Sequence, residues 1–272
     1  MKITFTPSFK AKNENIRKAD DIQRNAKLSF PFISPSYCDS FYQTSKRWQP
    51  DIKAKYNNVM MSADKKLSAI RLLAKESAFE GSTFDERNTN APIFQTLRGI
   101  RILKTANCHE CAALTMAALA ANGIHDIERV NLKADIEYIN KKTKEKEYSA
   151  NIPVDHTTII AKMGDKKKNK VVVDSWIGFA DSESSAKAKY KQLLWDSDIK
   201  EKIRMHRSLF RIEKFEQTGT MINPEKDYEL KVKIGFEKAE ETTQENMRLI
   251  GYYTSCFYPE LIMMPQKTDA NN

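Results

Sequence analysis

The spacing of apolar residues changes character several times along the chain. From Ser62 to about Phe79, Leu67, Ile70, Leu73 and Ala74 recur at helical spacing. Ser62 reads as the N-cap, and Asp64 favours the first turn. Residues 81–92, Gly81 through Pro92, read as a loop, and the short apolar run Ile93–Leu97 follows. Cys108 then opens an almost wholly apolar, Ala-rich segment that stops at Asn122-Gly123. That predicts a short, largely buried helix ended by a glycine suited to the left-handed position. Beyond it the period shortens. Arg129–Leu132, Ile136–Ile139, Asp155–Ala161 and Lys170–Asp174 read as strands, with a charged turn over Lys141–Glu147 and Gly164-Asp165 between the last two. Ser184 to about Trp195 is amphipathic, and a second helical piece covers 197–212. A strand over Tyr228–Ile234, a helical run near 239–250 and an apolar stretch from Tyr252 to Met264 complete the pattern. Residues 1–50 are irregular, punctuated by Pro31, Pro35 and Pro50, with a turn at Ser34-Pro35-Ser36. The first twenty or so read as a mobile leader.

Composition narrows the class. The chain has 272 residues, enough for one large domain or two small ones. Being 40% hydrophobic and 30% charged, with 8 Gly and 9 Pro, it is globular in composition rather than disordered. The net charge of +9 suits an acidic partner. Its lysines are scattered, though, with small clusters at Lys141-Lys142, Lys144 and Lys166–Lys168 that read as hairpin tips. With no arginine-rich arm, RNA-binding aromatic signature or zinc-finger spacing, no nucleic-acid partner is expected. No stretch approaches the roughly 20 apolar residues of a membrane span. The N-terminus lacks the apolar core of a signal peptide. The expectation is a cytoplasmic protein, or one exported without a signal peptide into a host cell. The four cysteines, Cys38, Cys108, Cys111 and Cys256, fit reducing surroundings.

Cys108, His156 and Asp174 are the candidate catalytic residues. A thiol at the first turn of a helix is favoured as thiolate by unpaired N–H groups and the helix dipole. Asn107 is the candidate cap. A histidine in one strand and an aspartate closing the next supply a base and its orienter. Two turns fit the strand pair. A loop over Gly164–Lys166 sets His156 directly opposite Asp174, about 5 Å apart. A turn centred on Lys167 sets Asp174 opposite Ile160, on the same face but about 13 Å from His156 along the strand.

The run Cys108-His109-Glu110-Cys111-Ala112, continuing to Gly123-Ile124, resembles the core motif of the transglutaminase-like superfamily. His156-Thr157-Thr158-Ile159 and Asp174-Ser175-Trp176 match its histidine and aspartate segments. The resemblance covers about residues 105–178, under a third of the chain. It implies a papain-like α+β fold, with the cysteine helix packed on an antiparallel sheet. It implies acyl transfer from an amide through a thioester, as in the superfamily's transglutaminases, peptidases, deamidases and bacterial effector enzymes. The implied substrate is a protein glutamine or peptide bond, with hydrolysis favoured over transamidation for want of a visible amine site. His109 departs from the small residue common after the nucleophile. Gln95 is an upstream candidate for an oxyanion donor. On this reading, 1–59 is a partly irregular N-terminal extension and 60–215 the catalytic core. Residues 216–272 complete or cover it and fray from about 266.

Rival chemistry attaches to the same residues. Cys108-x-x-Cys111 is also a redox or metal spacing, but its lead-in Lys104-Thr105-Ala106 and interior His-Glu are unlike thioredoxin-type sites. Zinc has one close cysteine pair, with His109 as a third ligand and Cys38, His125 or Cys256 as a distant fourth, where a structural site shows two pairs. The upstream His-x-Glu of zinc deaminases is missing. No EF-hand loop is present, and no cofactor is expected. A non-catalytic module that binds a partner through its basic surface is the remaining alternative.

Overall fold

β-Branched runs separated by short polar turns build the centre of the fold. In the computed structural model, the described residues are 14–34, 50–80, 91–164, 170–193, 200–239 and 243–263. The strands are β1 (Ile127–Asn140), β2 (Lys146–Lys162), β3 (Lys170–Asp174), β4 (Phe179–Ser182) and β5 (Tyr228–Lys238). They form an open, wholly antiparallel five-stranded sheet in the order β4-β3-β2-β1-β5. β1 and β2 make a long hairpin whose tip holds Lys141, Lys142 and Lys144, as expected, with Lys144 at a positive φ of 64°. The segments Arg129–Leu132 and Ile136–Ile139 are one continuous strand, and β4 was not apparent from the pattern.

The helices are α1 (Glu14–Ser29), α2 (Pro50–Glu80), α3 (Ala91–Leu103), α4 (Cys108–Ala121), α5 (Glu183–Leu193), α6 (Lys200–Thr218), α7 (Pro224–Asp227) and α8 (Gln244–Phe257). A 3₁₀ turn spans Pro259–Leu261. They cover the sheet unequally. On one face, Ile127, Ile159, Ala161, Val171 and Val173 share a core with α1, α3, α4 and α8. On the other, Leu132, Ile136, Tyr138, Ile152, Val154 and Val172 pack on Tyr190 of α5 and on Ile203 and Phe210 of α6. Period-2 alternation delivers the two sets to opposite faces.

α4 is the buried axis of the first core. All residues from Glu110 to Ala120 are buried, so no amphipathic stripe exists to be read. Its alanines let neighbours approach closely. Gly251 of α8 meets the Ala120 carbonyl so tightly that a Cβ there would lie 2.5 Å from the oxygen. The predicted span and glycine stop hold: Gly123 has a φ of 80°.

The N-terminal region differs from expectation. Residues 14–34 are not an irregular leader. α1 packs Ala19, Ile22 and Ala26 into the core beside α4, and Phe30 follows. Asp20 and Gln23 lie on the same buried face and break the apolar pattern. They bond each other at 3.2 Å, and Asp20 also accepts from the Ala180 N–H. α2 starts at Pro50 rather than Ser62, since proline suits the first helical position. Leu67 and Ile70 are buried as predicted, whereas Leu73 is exposed. The run Ile93–Leu97 is helix, within α3. Of the loop expected over 81–92, Ala91 and Pro92 instead open α3, and 81–90 lie outside the described residues, as do Pro35-Ser36, Cys38, Lys166–Lys168 and the tail from 266. Among the described residues, no helix is long and apolar enough to cross a membrane.

Candidate active site

Three elements bring the candidate residues together. Cys108 is the first residue of α4, half-buried. His156 and Asp174 are both buried, at 3% and 2% exposure. His156 Nε2 and Asp174 Oδ2 are 2.6 Å apart. The other ring nitrogen, Nδ1, is not engaged by Asp174, and Cys108 is among the groups that raise the His156 pKa, after Asp174.

The strand register explains this geometry and differs from both anticipated turns. Ile160 pairs with Val172 and Lys162 with Lys170. Extending that register sets Asp174 opposite Thr158, midway between the two alternatives. His156 lies two residues along on the same face, a diagonal within reach of long side chains. Between the pairs Asn131–Thr157 and Lys133–Pro153, β2 carries an irregularity that re-aims His156. β3 stops at Asp174, so the β2–β3 pairing ends before it reaches His156.

Asp174 is held by three donors. Oδ2 also accepts from the Tyr190 hydroxyl at 2.6 Å, and Oδ1 from the Ile177 N–H at 3.0 Å. The rings of Tyr190 and Trp176 flank His156, with centroids at 5.4 and 5.1 Å. Burial alone lowers the His156 pKa. The charge and hydrogen bond of Asp174, joined by Cys108, outweigh it and raise the ring to about 9. Burial pushes the Tyr190 hydroxyl up, so it stays a donor.

The lead-in to Cys108 is equally tied down. Ile33 forms a parallel bridge with Thr105, with hydrogen bonds from Ile33 N to Lys104 O and from Ala106 N to Ile33 O. Trp176 Nε1 donates to Ser34 Oγ at 2.6 Å, and Ser34 donates to Asn107 Oδ1 at 2.9 Å. The N-cap N–H of Asn107 donates to Glu110 Oε2 at 3.0 Å. Glu110 is almost wholly buried, and Arg71 Nε of α2 donates to its Oε1 at 2.8 Å. Ser175 Oγ donates to the Cys111 carbonyl, fastening α4 to the turn after β3.

No family model, no curated protein and no solved structure matches this chain.

The rival readings can be set against the same geometry. Cys111 is buried within α4, and burial pushes its thiol well up, so it stays protonated. A protonated, inaccessible thiol is a poor partner for disulfide exchange or metal binding. Among the described residues, no three His, Cys, Asp or Glu side chains group as a metal site. Gln95 lies half-buried in α3 and, among the described residues, makes no hydrogen bond to Cys108, His156 or Asp174. Sequence reasoning passed over Tyr190, Arg71 and the Trp176–Ser34 link. Trp176 follows the aspartate in the resemblance, but nothing local marks Tyr190 or Arg71.

Proposed function

We propose that the protein is a thiol-dependent acyl-transfer enzyme acting on protein amides, with a papain-like, transglutaminase-like core. Cys108 is the nucleophile, His156 the general base and acid, and Asp174 the orienter. One observation carries the reading: a buried histidine held by a buried aspartate at 2.6 Å, with a cysteine at a helix start among the groups that raise its pKa. A structural histidine has no need of both partners.

His156 takes the thiol proton on Nδ1, giving a thiolate–imidazolium pair. The sulfur attacks the amide carbon, the C–S bond forms, and the carbonyl electrons move to oxygen. The Cys108 N–H, which has no intrahelical acceptor in the first turn, is the proposed donor for that oxyanion. Collapse breaks the C–N bond, and the leaving nitrogen takes the proton from His156. Water, deprotonated by the same ring, then attacks the thioester and releases Cys108. An amine in place of water would give transamidation. Hydrolysis remains favoured, since no amine-binding site is evident among the described residues. The substrate is a glutamine side chain or peptide bond of a protein, met in the cytoplasm or in a host cell after export.

The test is Cys108 alkylation by iodoacetamide against pH, with peptide mass spectrometry separating it from Cys38, Cys111 and Cys256. Alkylation near pH 6 is expected to be well above that of a free thiol, which titrates near about 8.5. His156→Ala should lower it by about a hundredfold or more, the bottom of the range for a positioned base. A slow thiol indifferent to His156→Ala would sink the reading in favour of a non-catalytic binding module. So would a substrate assay in which Cys108→Ala stays active and Cys111→Ala does not.

A further inference from the structure

We infer that Arg71 determines specificity at this site, receiving a carboxylate carried by the acyl donor beside the reacting amide. The preferred substrates are then acidic peptide segments. This rests on the reading of Cys108 as nucleophile.

The argument starts from how Arg71 is held. Its Nε and Nη2 face the Glu110 carboxylate at 2.8 and 3.5 Å. Glu110 cannot move: it is buried in the first turn of α4 and accepts from the Asn107 N–H. The guanidinium is thus fixed to the turn that carries the reacting sulfur. The Nε–Nη2 edge is occupied and, among the described residues, the Nη1 edge is left, while the side chain is 53% exposed. Ordinary surface arginines lose rotamer entropy when they grip a ligand. Arg71 has already surrendered much of that to Glu110, so it is preorganised for a planar anion.

Its bond to Glu110, two residues after Cys108 in the same helical turn, sets it beside the candidate nucleophile. After Glu110, the charges that hold the guanidinium more firmly protonated are Cys108 and Asp155. Asp155 is exposed on β2, next to His156 in sequence. Its charge acts on the guanidinium behind that of Glu110, and a substrate carboxylate bound by Arg71 competes with it. The net positive charge of the chain steers acidic partners in the same sense.

The experiment uses two alkylating agents that differ in charge. With iodoacetamide or iodoacetate, the sulfur forms a C–S bond and iodide leaves, but only iodoacetate carries a carboxylate. The readout is the iodoacetate-to-iodoacetamide rate ratio at Cys108 in the full chain. Arg71→Gln is expected to lower the ratio about threefold or more at low salt, with the effect shrinking at high salt. Asp155→Asn should raise it. Because Arg71→Gln strips a partner from buried Glu110, the double variant Arg71→Gln/Glu110→Gln is measured too. It keeps a hydrogen-bonding pair without charge and should also lower the ratio. A ratio unmoved by Asp155→Asn and by the double variant overturns the assignment. A ratio that tracks Arg71 in a thiol indifferent to His156→Ala removes the acyl-transfer reading and leaves an anion site standing.

Discussion

Replacing His156 by Gln is expected to change how stability responds to pH. In the folded chain, burial disfavours the charged ring, but Asp174 and Cys108 more than compensate and lift its pKa from 6.5 to about 9. The unfolded chain keeps the ordinary value near about 6.5. A folded value above the unfolded one means that the native state holds the proton more tightly. This stabilisation is complete below about pH 6.5 and is lost as the pH rises through about 9. At about 1.36 kcal/mol per pH unit, the gap is worth about 3 kcal/mol. Urea unfolding of the wild type and of His156→Gln at several pH values isolates it, since groups common to both chains largely cancel. The wild-type advantage should be greatest near about pH 6 and smaller by about 3 kcal/mol near about pH 9.5. A constant advantage, or one growing with pH, would refute the claim that the native fold favours the imidazolium.

Two other substitutions probe the surroundings. Tyr190→Phe keeps the buried ring but removes a hydroxyl that donates to Asp174. A hydrogen bond to a charged group is worth about 1.5–3 kcal/mol. Unfolding free energy should fall by that order and Cys108 alkylation should slow, whereas unchanged values would make the contact incidental. Gly251→Ala puts a methyl against the Ala120 carbonyl, where something must shift. Overpacking of this kind costs about 1–3 kcal/mol, readable as a lower urea midpoint with an unchanged slope. A neutral result would show that α4 and α8 separate freely.

Local chemistry made some elements readable and left others opaque. α4 was legible because Asn107 and Gly123 punctuate an apolar run, and β3 because three valines lie between polar residues. Cys108, His156 and Asp174 could be named from order and placement. Their contact depended on a register that two turns left open, and the observed one lies between them. α1 was obscured because its buried face includes Asp20 and Gln23, whose hydrogen-bond partners cannot be seen in sequence. Tyr190 and Arg71 were hidden for a different reason. Each acts through a residue well separated along the chain, Asp174 or Glu110, and no local period encodes such a pairing.

Ser34, Asn107, His156, Asp174 and Tyr190 support one another while spanning more than half of the chain. Contacts so far apart in sequence form only after large loops have closed, which places them late in folding. While the polypeptide is still leaving the ribosome, α4 can coil and collapse, but its cysteine lacks the tethered imidazole until the stretch carrying Tyr190 has emerged. The unfinished chain is therefore chemically quiet. On the proposed function, activation of the thiol belongs to the completed fold, and neighbouring nascent proteins are spared a reactive sulfur during synthesis.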